Sequence, residues 1–93
     1  GLHITSMAGT WLAIVQGFAG LRWNQYGLSL NPQIPKHWKS FSFKIIYRGA
    51  LITITIKAKK ATILLESGFV SHITVCNQKY SLQVGSELHI NLQ

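Results

Sequence analysis

The hydrophobic positions fall into two regimes with different periods. Trp11, Ile14, Val15 and Phe18 recur at i, i+3, i+4 and i+7, the repeat of one helix face. Leu12, Ala13 and Ala19 fill most of the remaining circumference, and Gln16 is the one polar residue inside the run. The pattern predicts a short helix over residues 10–19, apolar nearly all round, which needs cover nearly all round. Gly20 is placed to end it. Beyond Gly20 the period becomes two. Residues 21–25 alternate as a strand, Tyr26-Gly27 turns the chain, and residues 28–30 return. The segment Asn31-Pro32-Gln33-Ile34-Pro35-Lys36 is excluded from regular structure by its prolines, and His37-Trp38 are expected to anchor that loop on the core.

The alternation is strongest next. Phe41, Phe43, Ile45 and Tyr47 oppose Ser42 and Lys44, Arg48-Gly49 turns, and residues 51–57 alternate again with many β-branched side chains. Ala58-Lys59-Lys60 reads as a charged turn. Residues 61–65 form a strand broken by Glu66-Ser67-Gly68. Residues 70–75, 79–84 and 88–92 complete the set, with turns at Asn77-Gln78 and Gly85-Ser86. Short strands at this spacing predict an antiparallel sandwich or barrel. The chain therefore reads as mostly β with one N-terminal helix.

Ninety-three residues allow one small domain. Three Trp, three Tyr and four Phe in a chain that is 47% hydrophobic supply a packed core and argue against disorder. Nine Lys and Arg against two acidic residues give a net charge of +7, which favours phosphate-bearing partners without indicating a fold. Cys76 is the single cysteine, so no intramolecular disulfide forms and a reducing, cytoplasmic setting is expected. The first apolar run has no basic segment ahead of it and is shorter than the ~20 residues of a membrane span. Gly1-Leu2-His3 starts mid-pattern, which raises the expectation of a longer parent polypeptide.

The acidic inventory restricts the chemistry. Glu66 and Glu87 are the two carboxylates, both assigned to turns, and without Asp there is no Ser-His-Asp triad. Glycosidic chemistry usually needs a pair of placed carboxyl groups, which these two do not offer. His3, His37, His72 and His89 lie at no metal-ligand spacing to one another or to Cys76, so neither metal nor cofactor is expected. Cys76 reads as a small core residue of a strand. Lys44, Arg48, Lys57, Lys59, Lys60 and Lys79 with Trp38, Tyr47 and Tyr80 suggest a nucleic-acid stacking surface. Against it, strand parity turns Phe41, Phe43 and Tyr47 inward, and no RNA-recognition signature is present. At the helix start, His3 and Ser6 precede the slim Ala8-Gly9. Unpaired helix amides, a hydroxyl and an imidazole there describe an anion site, or equally a plain helix cap with a surface histidine.

The run His3-Ile-Thr-Ser-Met-Ala-Gly-Thr-Trp-Leu-Ala-Ile-Val-Gln-Gly-Phe-Ala-Gly-Leu-Arg22 resembles the last barrel helix of glycoside hydrolase family 65, the maltose, trehalose and kojibiose phosphorylases. Leu28-Ser-Leu-Asn-Pro-Gln-Ile-Pro-Lys-His-Trp-Lys39 and Phe41-Ser-Phe-Lys-Ile-Ile-Tyr-Arg-Gly49 are similar to the opening of that family's C-terminal β-sandwich. The resemblance implies that residues 1–22 are the last helix and phosphate loop of an (α/α)6 catalytic barrel and residues 23–93 a small antiparallel β-sandwich. It implies an inverting phosphorolysis of an α-glucoside to β-glucose 1-phosphate, with inorganic phosphate as co-substrate and the catalytic Glu upstream. His3, Ser6, Ala8 and Gly9 match the phosphate-binding positions, with Ala8 where the family often has Gly. The implied partners are the rest of the same polypeptide, a disaccharide and phosphate, with the parent a homodimer and this chain inactive alone. The competing reading is a free-standing basic β module that binds glycans or nucleic acid.

Overall fold

The two-residue period decides which side of each strand is buried, and the burial follows it closely. A computed structural model describes residues 2–5, 17, 19–33, 40–57 and 59–92. Nine strands run through them: β1 (Leu2–Thr5), β2 (Arg22–Asn24), β3 (Gly27–Leu30), β4 (Ser40–Tyr47), β5 (Ala50–Lys57), β6 (Lys60–Ser67), β7 (His72–Val75), β8 (Gln78–Ser81) and β9 (Glu87–Asn91). Along β5, Ala50, Ile52, Ile54 and Ile56 are buried, while Leu51, Thr53 and Thr55 are half-buried on the other face. Phe43, Ile45 and Tyr47 of β4 and Ala61, Ile63 and Leu65 of β6 join them in the core.

Two sheets share this core. The larger has the order β1-β4-β5-β6-β9 and the smaller β2-β3-β7-β8. Leu28 and Leu30 of β3, Ile73 and Val75 of β7, and Ala19 and Leu21 ahead of β2 meet the isoleucines of the larger sheet in one cluster. This is the layering of a β-sandwich, whose strength is the apolar area its two inner faces remove from water.

The structure departs from the sequence reading at several points. The smaller sheet is not wholly antiparallel: β3 and β7 are parallel, with Ser29 opposite Thr74. The chain leaves the small sheet after β3, builds most of the larger one, and returns in its original direction. Leu2–Thr5, which the sequence reading assigned to no strand, pairs antiparallel with β4 as an edge strand. The strand expected to break at Glu66 runs on to Ser67, because a register shift between Leu51 and Ile52 absorbs one extra residue. Glu87 opens β9, so neither carboxylate lies in a turn.

Cys76 is not a core residue. It is exposed and, with Asn77, forms the two-residue loop between Val75 and Gln78. Both loop residues have positive φ, 50° and 67°. Only a primed turn matches the twist of a tight hairpin, and the primed type I turn needs positive φ at both positions. Arg48 and Gly49, at 51° and 80°, solve the β4–β5 turn in the same way. The helix expected over residues 10–19 lies, apart from Gly17 and Ala19, outside the described residues. Gly20 has the left-handed φ of 64° suited to a helix end, and the Asn31 amide donates to the Ala19 carbonyl at 3.1 Å.

Candidate functional site

The residues singled out for phosphate are described only in part. His3 pairs with Ile46 in β1, whereas Ser6, Ala8 and Gly9 lie outside the described residues, as do His37 and Trp38.

The fold brings the two carboxylates to neighbouring strands. Glu87 faces Leu64, two residues from Glu66 along β6. Such diagonal positions are about 7–8 Å apart. Lys44 Nζ donates to Glu66 Oε2 at 2.6 Å, and the Thr53 hydroxyl donates to the same oxygen. The Lys44 hydrogen bond first, and the Thr53 one second, hold the Glu66 carboxyl below the usual carboxylate range. A general acid for glycosidic cleavage needs the opposite shift from that of Glu66. Glu87 lies 3.6 Å from His89, whose other ring nitrogen is 3.2 Å from the Thr62 hydroxyl. Among the described residues no group of His, Cys, Asp and Glu is arranged to hold a metal ion.

The basic residues proposed for nucleic acid do not converge. Tyr47 is buried, which removes a stacking ring. Lys57, Lys59 and Lys60 flank the β5–β6 turn, while Arg48 sits at the opposite end of β5, eight residues and therefore ~25 Å away. Lys79 belongs to the other sheet.

What the structure does assemble is one end of the sandwich. Asn24 Oδ1 accepts from the amides of Tyr26 at 2.8 Å and Gly27 at 3.2 Å, which fixes the β2–β3 turn. The Tyr47 hydroxyl donates to the Asn24 carbonyl at 3.1 Å, and Arg48 Nη2 to the Gln25 carbonyl at 3.0 Å. The Arg48 guanidinium also stands 5.2 Å from the centre of the Tyr47 ring. Turns of the two sheets are thereby clamped together. Beside the clamp is a cleft of about 240 Å³ lined by Tyr26, Gly27, Arg48, Phe69, Ser71 and His72, among others. A shallower cleft of about 180 Å³ shares Tyr26, Gly27 and His72 and leads toward Ser29 and Thr74. A third, of about 340 Å³, lies where Gly17 and Gly20 meet Arg22, Asn31 and Asn77. Sequence reasoning passed over this cluster. Its signal is an Asn three residues before a Gly, which marks a side-chain-capped turn, followed by turns that carry lone aromatics.

A family model described as the C-terminal domain of glycosyl hydrolase family 65 matches residues 21–82. The chain belongs to glycosyl hydrolase family 65. The matched segment begins at Leu21, the buried residue immediately ahead of β2, and ends just past β8. The chain is 47% identical over 83 residues to a maltose phosphorylase of Bacillus subtilis (strain 168), which covers 89% of this chain and 11% of that protein. It is 43% identical over 90 residues to an alpha,alpha-trehalose phosphorylase of Geobacillus stearothermophilus, covering 97% of this chain and 12% of the relative. A solved structure described as a putative kojibiose phosphorylase from human microbiome superposes with a TM-score of 0.78 at 30% identity, over 89% of this chain and 12% of that one. This family 65 domain thus corresponds to about a tenth of the length of the relatives it matches.

Proposed function

We propose that this chain is the C-terminal part of an inverting disaccharide phosphorylase that converts an α-glucoside and inorganic phosphate into β-glucose 1-phosphate and a free sugar. The observation that carries the reading is the identity of 47% and 43% to proteins named for maltose and trehalose phosphorolysis. Residues 1–22 would be the closing helix and phosphate loop of the (α/α)6 barrel, joined through the β1–β4 pairing to residues 23–93, the β domain packed against it. Phosphate takes the place of the activated water of an inverting glycosidase, and a carboxylic acid from the upstream barrel protonates the leaving oxygen. His3 and Ser6 would donate to the phosphate together with the amides of Ala8 and Gly9, no cofactor being required. Since the catalytic acid would lie in the upstream barrel, the chain alone would be inactive. The parent would be a cytoplasmic homodimer.

The test uses the full-length polypeptide that carries this sequence, with maltose, trehalose and kojibiose as substrates. β-Glucose 1-phosphate should form in phosphate buffer. His3→Ala and Ser6→Ala should each raise the KM for phosphate by roughly tenfold or more, the loss expected for a hydrogen bond to a charged group. The KM for the disaccharide should stay nearly constant. Release of glucose without phosphate, or equal damage to both KM values, refutes the assignment.

A further inference from the structure

Tyr26 and Phe69 are 78% and 79% exposed, the two most exposed large hydrophobic side chains among the described residues, and both line the cleft of about 240 Å³ at the clamped end of the sandwich. Both stand on fixed mounts. Tyr26 is held by the Asn24 cap and by the Arg48 bond to the Gln25 carbonyl. Phe69 follows Gly68, whose φ of 85° and close approach to the Ala50 backbone fix the chain there. Aromatic rings offered to solvent on a rigid frame lose little freedom when something stacks on them.

The chemistry of the cleft restricts what that something is. Its polar groups include the Ser71 hydroxyl and the His72 imidazole, 3.1 Å from each other. Among the described residues no carboxylate lines it. Arg48 Nη2 donates to the Asn24 and Gln25 carbonyls, and its guanidinium stands over the Tyr47 ring. Exposed rings beside a hydroxyl, an imidazole and a guanidinium suit a ligand with hydroxyls on its rim and an apolar C–H face, which is a pyranose ring.

We infer that Tyr26, Phe69, Ser71 and His72 form a saccharide-binding subsite for glucosides, separate from the catalytic centre. It deepens the family 65 reading, because it supposes a parent that works on glucosides. The site would hold glucan near the enzyme without taking part in bond cleavage.

The experiment is native affinity electrophoresis of the full-length polypeptide through gels with and without soluble starch or dextran, with phosphorolysis assayed in parallel. Retardation by one of these glucans is expected. Tyr26→Ala and Phe69→Ala should each weaken it by roughly tenfold or more in dissociation constant, as loss of a central aromatic contact does. Phe69→Tyr and Lys59→Ala, the second at the far end of the sheet, should leave it intact. Phosphorolysis should be unchanged in all four variants. No retardation by either glucan overturns the inference, as does retardation that survives both alanine variants. A change of molar mass by light scattering in the alanine variants without glucan retardation also overturns it and makes the cleft a protein interface. Absence of phosphorolysis in the wild type bears on the proposed activity and leaves the gel result to be read independently.

Discussion

A single missing Cβ shows how tightly the sandwich closes. Gly68 has φ 85°, and a Cβ there would come within 2.6 Å of the Ala50 Cα. Gly85 has nearly the same φ, 82°, but open space around its Cβ position. Comparing the two separates backbone strain from collision. Gly85→Ala should lose only the left-handed penalty, about 1–2 kcal/mol. Gly68→Ala adds an overpacking cost and should lose about 2–5 kcal/mol in total. Urea denaturation of the full-length polypeptide, following a probe in this domain, checks the order; equal losses would mean that the Ala50 contact yields freely. At this scale the sequence was a partial guide. Gly68 was legible as a break, but not the pressure from Ala50, which comes from a strand far away in sequence. Cys76 was misread for a related reason. Its apolar neighbours continue the strand pattern, and only the tight return to Gln78 forces it out into solvent.

The strands were legible because burial on one face writes itself into every second residue. β4, β5 and β6 are long, rich in large apolar residues and paired on both sides, so their pattern is unambiguous. What periodicity cannot report is where a bulge keeps a strand going, as at Glu66, or which strands become neighbours, as with the parallel β3 and β7. Nor does it identify turn type. The β7–β8 loop adopts a conformation that Asn-Gly fits best and supplies Cys-Asn instead. Replacing Cys76-Asn77 by Asn-Gly should therefore stabilise the hairpin, by about 1 kcal/mol for relief of the left-handed cysteine. A thermal midpoint at or below that of the unaltered protein would show that the turn carries no such strain.

Across the molecule, stability should be graded from the centre of the larger sheet outward. β5 is its middle strand and buries Ile52, Ile54 and Ile56 completely or nearly so, while β2 edges the smaller sheet with all three residues exposed. Amide hydrogen exchange should show β5 protected at least about a hundredfold more than β2, since local opening is cheapest at exposed edges. Uniform protection would mean that the two sheets open only together. The family was legible at this scale through an ordered run of residues from His3 to Gly49, and the match over residues 21–82 agrees with it. The cleft around Tyr26 and Phe69 was not legible, because it is made by turns from separate parts of the chain that meet only after both sheets form.

The parallel pairing of β3 with β7 has a consequence in time. During synthesis the β2–β3 hairpin leaves the ribosome before the larger sheet exists, with Leu28 and Leu30 on one face and no strand yet available beside β3. Its neighbour β7 arrives only after β4, β5 and β6. Pairings so distant along the chain are slow to close. The β4–β5–β6 meander, built from consecutive hairpins, can therefore form while β2 and β3 still wait for β7, so the order of assembly departs from the order of translation.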